Sequence, residues 1–326
     1  VAARSPDGYA LVADGALTLT IDESCTPLTG SWIPTSARRA AAGSGLTPDA
    51  SIVVVRGDEA PVPEPPDAPA TLRIGAVRAW LDTQGETALM IGGAGSFGEI
   101  DRPRHRARLA VRIGGSDATA MDLQPMLTIA AAILLGRIGR ILLHAGAVVA
   151  EDGRAWLVVG DARSGKSTTS ISLAASGWAL LSDDQVVLQG SEVGDLSVEG
   201  WLRPLHLDEG WDAHVPTGTR NTVAATSLGL RVIRGPIALA GTLHTSVAAG
   251  QPTHAEGMSA GEAFIGLVRQ SPWLLADRPV APSIVERLSA VARLPRFALS
   301  LGRDTFGEPM ALRAALLRGL ERSGTE

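Results

Sequence analysis

The segment Gly160-Asp-Ala-Arg-Ser-Gly-Lys-Ser167 constrains the fold more than any other stretch of these 326 residues. Its spacing, G-x-x-x-x-G-K-[ST], is that of a loop whose backbone N–H groups cradle phosphate oxygens, and such a loop needs a strand leading into it and a helix leading out. In this arrangement the lysine reaches the β and γ oxygens and the next hydroxyl ligates Mg²⁺. Lys166 is the sole lysine among 29 basic residues; every other one is arginine. A compact ammonium on a flexible stem reaches into a tight loop where a planar guanidinium fork does not fit. Gly160, Asp161, Ala162, Arg163, Ser164, Gly165, Lys166, Ser167 and Thr168 are therefore the expected phosphate-binding residues.

The flanking sequence supplies the required context. Ala145–Ala150 and Ala155–Gly160 are apolar strand runs joined by the turn signal Glu151-Asp-Gly-Arg154. Ser167–Ser176 reads as a helix ended by Gly177, and Trp178–Ser182 and Gln185–Leu188 as two further strands. A strand after a helix of about ten residues returns its end to the side of the loop. The end of that strand carries Leu180-Leu-Ser-Asp183-Asp184. Adjacent carboxylates at this place can divide two tasks, one holding Mg²⁺ directly or through water and the other accepting a proton from an attacking hydroxyl. His144, between leucines and Ala145-Gly146, is consistent with either a hydrogen-bonded core residue or a member of the site.

Before this core the sequence is β-rich. Tyr9–Ala13 and Ala16–Ile21 flank the hairpin signal Asp14-Gly15, and Ser51–Arg56 holds three consecutive valines. Thr71–Trp80, Thr87–Ile91 and Arg106–Ile113 are further expected strands, the last with an arginine-rich face. Ala60–Pro69 is too proline-rich for helix or sheet and reads as an exposed loop. Met121–Leu143 has the long aliphatic stretches of a packed helix; its most apolar part, Leu127 to Gly136, is too short to span a bilayer. The expected organisation is α/β, with a β-rich N-terminal domain over 1–117 and a phosphate-loop domain over 118–326. The last third is less regular, with helices expected over Glu262–Leu267, Ser283–Ala292 and Met310–Leu320 and a strand over Phe297–Ser300.

A hydrophobic content of 45% with 19% charged residues describes a globular chain, and a net charge of −5 argues against nonspecific nucleic-acid binding. The single cysteine, Cys25, leaves no intrachain disulfide, and the start lacks a continuous apolar segment; a cytoplasmic protein without a membrane role is expected.

Taken together, Leu143-His-Ala-Gly-Ala-Val-Val149, Trp156-Leu-Val-Val-Gly-Asp-Ala-Arg-Ser-Gly-Lys-Ser-Thr168 and Gly177-Trp-Ala-Leu-Leu-Ser-Asp-Asp184 resemble the HPr kinase-like family. This family includes the bacterial HPr kinase/phosphorylase and shorter relatives, some similar to precursor-peptide serine kinases of lasso-peptide clusters. The resemblance covers Leu142 to Leu188. It implies a P-loop kinase core of the HPr kinase / phosphoenolpyruvate carboxykinase type, using ATP and Mg²⁺. It further implies Asp183 as general base toward a serine hydroxyl, Asp184 and His144 as its catalytic surroundings, Lys166 on the phosphates, and Ser167 with Asp184 at the metal. The acceptor implied is a serine of a small protein or ribosomally made peptide, with homo-oligomer formation left open. Thr168 stands where the bifunctional enzymes carry an acidic residue, and no counterpart of their second glycine-rich signature follows, so the shorter, single-function relatives fit better.

A kinase for a small-molecule hydroxyl would use the same core, and a regulatory nucleotide-binding module without turnover would share its loop. Arg203, in Arg203-Pro-Leu-His206, is placed equally well on a phosphate or in an ordinary loop. Arg102, Arg104, Arg106, Arg108 and Arg112, with His105, read either as a docking face for an acidic partner or as the charged protection of an edge strand. Trp178, Trp201 and Trp211 are expected as core or loop anchors, and His244 with His254 makes no zinc pattern.

Overall fold

A computed structural model describes residues 7–22, 24–25, 33–34, 37–39, 48–58, 60–81, 86–112, 117–201, 203, 205–207, 221–248, 250–305 and 309–323. Ile113, Pro204 and Trp211 lie outside the described residues, as does the side chain of His206. The chain is mixed α/β and divides into two compact units, Val1–Leu142 with Pro272–Ile284, and Leu143–Ser271 with Val285–Glu326. This division falls later than the 117/118 boundary read from the change in sequence period.

In the first unit the described strands are β1 (Asp7–Ala10), β2 (Leu17–Ile21), β3 (Arg38–Arg39), β4 (Ala50–Arg56), β5 (Leu72–Ile74), β6 (Val77–Leu81), β7 (Thr87–Ile91), β8 (Phe97–Asp101) and β9 (Arg106–Val111). They form one mixed sheet in the order β3-β1-β2-β4-β9-β8-β7-β6-β5. Pairing is parallel at β2/β4 and β4/β9 and antiparallel through the β9-to-β5 meander. Helix α1 (Asp117–Arg137) packs on β2, β4, β6 and β9, and its residues 126–136 are buried.

Three expectations need correction here. Thr71–Trp80 is not one strand but the β5–β6 hairpin, because Gly75 turns the chain at φ +57°. The helix expected to run to Leu143 stops at Arg137; Gly139, at φ 76°, breaks it, and the aliphatic tail becomes β10 (Ile141–Leu143). Finally, β9 is an interior strand between β4 and β8, not an edge, and its arginine-rich neighbourhood is not uniformly solvated. Arg102 is 0% exposed, donating to Asp277 at 3.0 Å, and Arg137 bonds the same carboxylate at 2.7 Å. The proline segment is irregular as expected and is pinned near both ends, by Arg112 on the Ala60 carbonyl at 3.2 Å and the Trp80 indole on the Ala68 carbonyl at 2.8 Å.

The second unit contains β11 (Gly146–Val149), β12 (Ala155–Val159), α2 (Lys166–Ala175), β13 (Ala179–Ser182), β14 (Val186–Gln189), β15 (Ser197–Gly200), β16 (Leu205–Leu207), β17 (Asn221–Val223) and β18 (Ile237–Val247). It continues with β19 (His254–Gly257), α3 (Ala260–Arg269), α4 (Ala281–Ala292, which begins in the first unit), β20 (Arg296–Leu301) and α5 (Pro309–Ser323). The 11-residue β18 is its central strand, parallel to β12 on one side and β20 on the other. β11 lies antiparallel to both β12 and β13. Helices α2 and α5 pack together over this sheet, on a core that includes Val158, Leu173, Leu180, Leu299 and Leu316. Trp156 and Phe297 meet within it in a tilted arrangement, 50° between ring planes at a centroid distance of 6.0 Å, and Trp178 and Trp201 are buried, so both are core anchors.

Candidate active site

Strand register brings the two halves of the site to one end of the sheet. Gly146 pairs with Val158 of β12, and Ala147 with Ser182 of β13. The exits of β12 and β13 therefore flank the start of β11, where His144 precedes Gly146. Side chains cannot intrude at this point. A Cβ on Gly146 would lie 2.4 Å from the Ser170 hydroxyl of α2 and 3.3 Å from the carbonyls of Ser182 and Asp183. The glycine lets α2 and the β13 exit close on β11.

The glycine loop leaves β12 and turns into α2 through Gly165, whose φ of 94° and ψ of 15° lie in the left-handed region. No side chain caps α2, so its first N–H groups and the positive end of its dipole are free for an anion. The loop is braced from β18: Thr245 donates to the Val159 carbonyl at 3.2 Å and its hydroxyl lies 2.9 Å from that of Ser164. A Cβ on Gly160 would sit 2.7 Å from the Thr245 hydroxyl and 2.3 Å from that of Ser164, so the first glycine is required by packing. Lys166 Nζ donates to the carbonyls of Gly160 at 2.7 Å and Asp161 at 3.0 Å. Burial lowers its pKa, against the opposing charges of Asp184 and Asp161. Asp161, Ala162 and Arg163 are exposed at the loop's outer turn, with Arg163 at φ 64°; Ser167 and Thr168 are half-buried on the first turn of α2.

The turn after β13 is set by Ser182, whose buried hydroxyl accepts from the N–H of Gln185 at 3.3 Å. The two carboxylates that follow diverge. Asp183 is buried and accepts a hydrogen bond from Ser167. Burial and the adjacent Asp184 charge push its pKa up to about 7, against the opposing pull of Arg203 and Ser167. Asp184 points elsewhere: His144 Nε2 is 3.1 Å from Oδ1, and Arg203 binds Oδ2. Burial alone would raise its carboxyl, but the His144 hydrogen bond and the Arg203 charge outweigh that and hold it well below the usual carboxylate range.

Lys166, Ser167, Asp183, Asp184 and His144 are thus brought together, while the carboxylate touching Ser167 is Asp183 rather than Asp184. Arg203, weighed evenly from sequence, bonds Asp184. Sequence reasoning did not single out Thr245 or Gln270, which lie far along the chain. Gln270 donates to Asp161 at 3.3 Å, and Arg269 approaches Asp161 at 3.9 Å. His244 and His254 each bond locally, His244 with Thr242 at 3.1 Å and His254 with the Pro252 carbonyl at 3.0 Å.

The donor set fits a nucleotide phosphate: two glycines at positions a Cβ would obstruct, an uncapped helix start, and one ammonium. Among the described residues no group of three or more His, Cys, Asp or Glu could hold a metal alone. Mg²⁺ commonly takes one or two protein ligands plus substrate phosphates, which suits Ser167 with an adjacent carboxylate. Among the described residues, no helix is long and apolar enough to cross a membrane.

The chain matches no protein-family profile and no curated protein. Among solved structures it is similar to the HPr(Ser) kinase/phosphatase from Coxiella burnetii at 14% identity and a TM-score of 0.28, over 54% of this chain and 97% of that one. A likeness at that score is too slight to carry any part of the functional reading.

Proposed function

We propose that this chain is an ATP- and Mg²⁺-dependent kinase that phosphorylates a serine hydroxyl of a small protein or ribosomally made precursor peptide. The observation that carries the reading is Asp183: a buried carboxylate of raised basicity, bonded to the hydroxyl that follows the sole lysine, beside an uncapped helix start. ATP is the phosphoryl donor in this reading, with its phosphates on the Gly160–Thr168 backbone and Lys166. Mg²⁺, held by Ser167 and a carboxylate of the pair, would supply charge neutralisation at the phosphates. As the acceptor oxygen bonds to the γ-phosphorus, the bridging P–O bond breaks and its electron pair leaves with ADP. The hydroxyl proton passes to Asp183. Asp184 stays ionised and holds His144 and Arg203 in place. A serine hydroxyl is a poor nucleophile, so removing its proton and neutralising the phosphoryl group are the two services such a site must provide.

The test is mass spectrometry of serine-containing peptides and small proteins encoded beside this chain, after incubation with Mg²⁺–ATP and wild type, Lys166→Ala or Asp183→Asn. A phosphate mass gain with wild type, missing with both variants, supports the reading. Nucleotide binding without transfer to any acceptor would transfer support to a regulatory module or a small-molecule kinase.

A further inference from the structure

The phosphate loop and the carboxylate turn belong to different segments, and the acceptor oxygen must be held about 3–3.5 Å from the γ-phosphorus, since a misplacement of about 1 Å can cost about 10²-fold in rate. Gln270, the C-terminal cap of α3, touches both halves. Its side-chain amide donates to Asp161 Oδ1 in the phosphate loop at 3.3 Å. Its main-chain carbonyl accepts from the His144 N–H at 3.0 Å, and His144 in turn holds Asp184. Gln270 is only 4% exposed, although Asp161 is 69% exposed, so the buried partner is the one that can dictate geometry.

Helix α3 is built to hold that cap still. Ser259 and Glu262 close a reciprocal capping box at its start. Ala263 and Leu267 bury its inner face, and Gly266 lies so close to the His244 ring that a Cβ would come within 2.6 Å of Nδ1. The Gln270 N–H is tied to the Leu267 carbonyl at 3.1 Å. The tether thus runs from β18 through a rigid helix end to both the loop and the acid turn.

We propose that Gln270 is a positioning residue that keeps the phosphate loop in register with the His144–Asp184 side of the site, through its amide on Asp161 and its carbonyl on His144. This rests on the phosphate-binding reading of the site. The amide must be a donor, because Asp161 accepts; a carboxylate in its place would repel.

The experiment compares wild type with Gln270→Ala, Gln270→Glu, Asp161→Asn and the Asp161→Asn/Gln270→Glu pair, in which donor and acceptor exchange places. Titration calorimetry with Mg²⁺–ATP, hydrogen exchange of residues 161–165 without nucleotide, and melting temperature are read together. Expected are a roughly tenfold loss of Mg²⁺–ATP affinity in Gln270→Glu, of the order of one hydrogen bond to a charged group, and recovery to within about threefold in the exchanged pair. Exchange of residues 161–165 speeds up in Gln270→Ala by more than its fall in melting temperature accounts for, while exchange in α2 and β18 changes only with that global loss. The inference is overturned if exchange is unaltered, or if the exchanged pair binds no better than Gln270→Glu, or if the loss simply tracks melting temperature. Because the exchange comparison needs no nucleotide, it decides the tether even when wild type fails to bind Mg²⁺–ATP, a result that would count against the kinase reading by itself.

Discussion

Asparagine at position 183 should make the protein more stable at alkaline pH while removing its proposed chemistry. The carboxyl of Asp183 titrates at about 7 in the fold against an ordinary value of 3.8, with burial as the leading cause. Between those two values the native state binds more protons than the unfolded chain, so this group's contribution to stability falls as pH rises, and above about 7 the full cost is present. A displacement of that size corresponds to about 4 kcal/mol, and a unit either way puts the expected gain from Asp183→Asn at roughly 3–5 kcal/mol at pH 8. The amide oxygen can still accept from Ser167, so no bond needs to be lost. Near pH 4, where the native aspartate is already neutral, the gain should shrink toward zero. Urea unfolding of metal-free, nucleotide-free protein at the two pH values measures the difference. Equal stability of the two proteins at pH 8, or a gain that persists unchanged at pH 4, would refute the placement of a buried, costly carboxylate at this site.

Two further outcomes follow from the same structure. His244 is driven by burial to a pKa of about 4 from 6.5, so its contribution is intact above about 6.5 and is lost as pH falls from there through 4; in a melting series a His244→Gln protein should show a flatter acid limb than wild type. Gly165→Ala places a Cβ at φ 94° and 2.2 Å from Leu301 Cδ1, and should cost about 1–3 kcal/mol and lower Mg²⁺–ATP affinity by calorimetry; unchanged binding and stability would show that the loop does not need this conformation.

What the sequence made legible is local. From Ala145 to Leu188 apolar runs, glycines and the lone lysine sit in one continuous stretch, and the β11–β12–loop–α2–β13 order follows from them. The braces of that site are remote. Thr245 is 81 residues from Ser164, and Gln270 is 109 from Asp161, so no spacing rule connects them. Thr245 was hidden further because β18 reads as Ile-Ala-Leu-Ala-Gly-Thr-Leu, whose small residues carry a weak strand signal. The structure explains that weakness: a Cβ on Gly241 would come within 2.2 Å of the Pro295 carbonyl and 2.6 Å of the Trp156 ring. Arg102 makes the same point in the other unit. It sits among arginines that read as a solvated face, yet its partner Asp277 is 175 residues away and buries it. The split between the two aspartates was equally out of reach, since it depends on which carboxylate meets Ser167 and which meets Arg203.

The central claim is that Asp183 removes the acceptor's proton while the loop merely holds the nucleotide. The most direct test is the rate of serine phosphorylation at saturating Mg²⁺–ATP for wild type and Asp183→Asn, with the nucleotide dissociation constant measured on the same samples. The account predicts affinity kept within about threefold and a rate reduced by 10²-fold to 10⁴-fold, the usual size of a general-base contribution. A variant that transfers phosphate at the wild-type rate would contradict it.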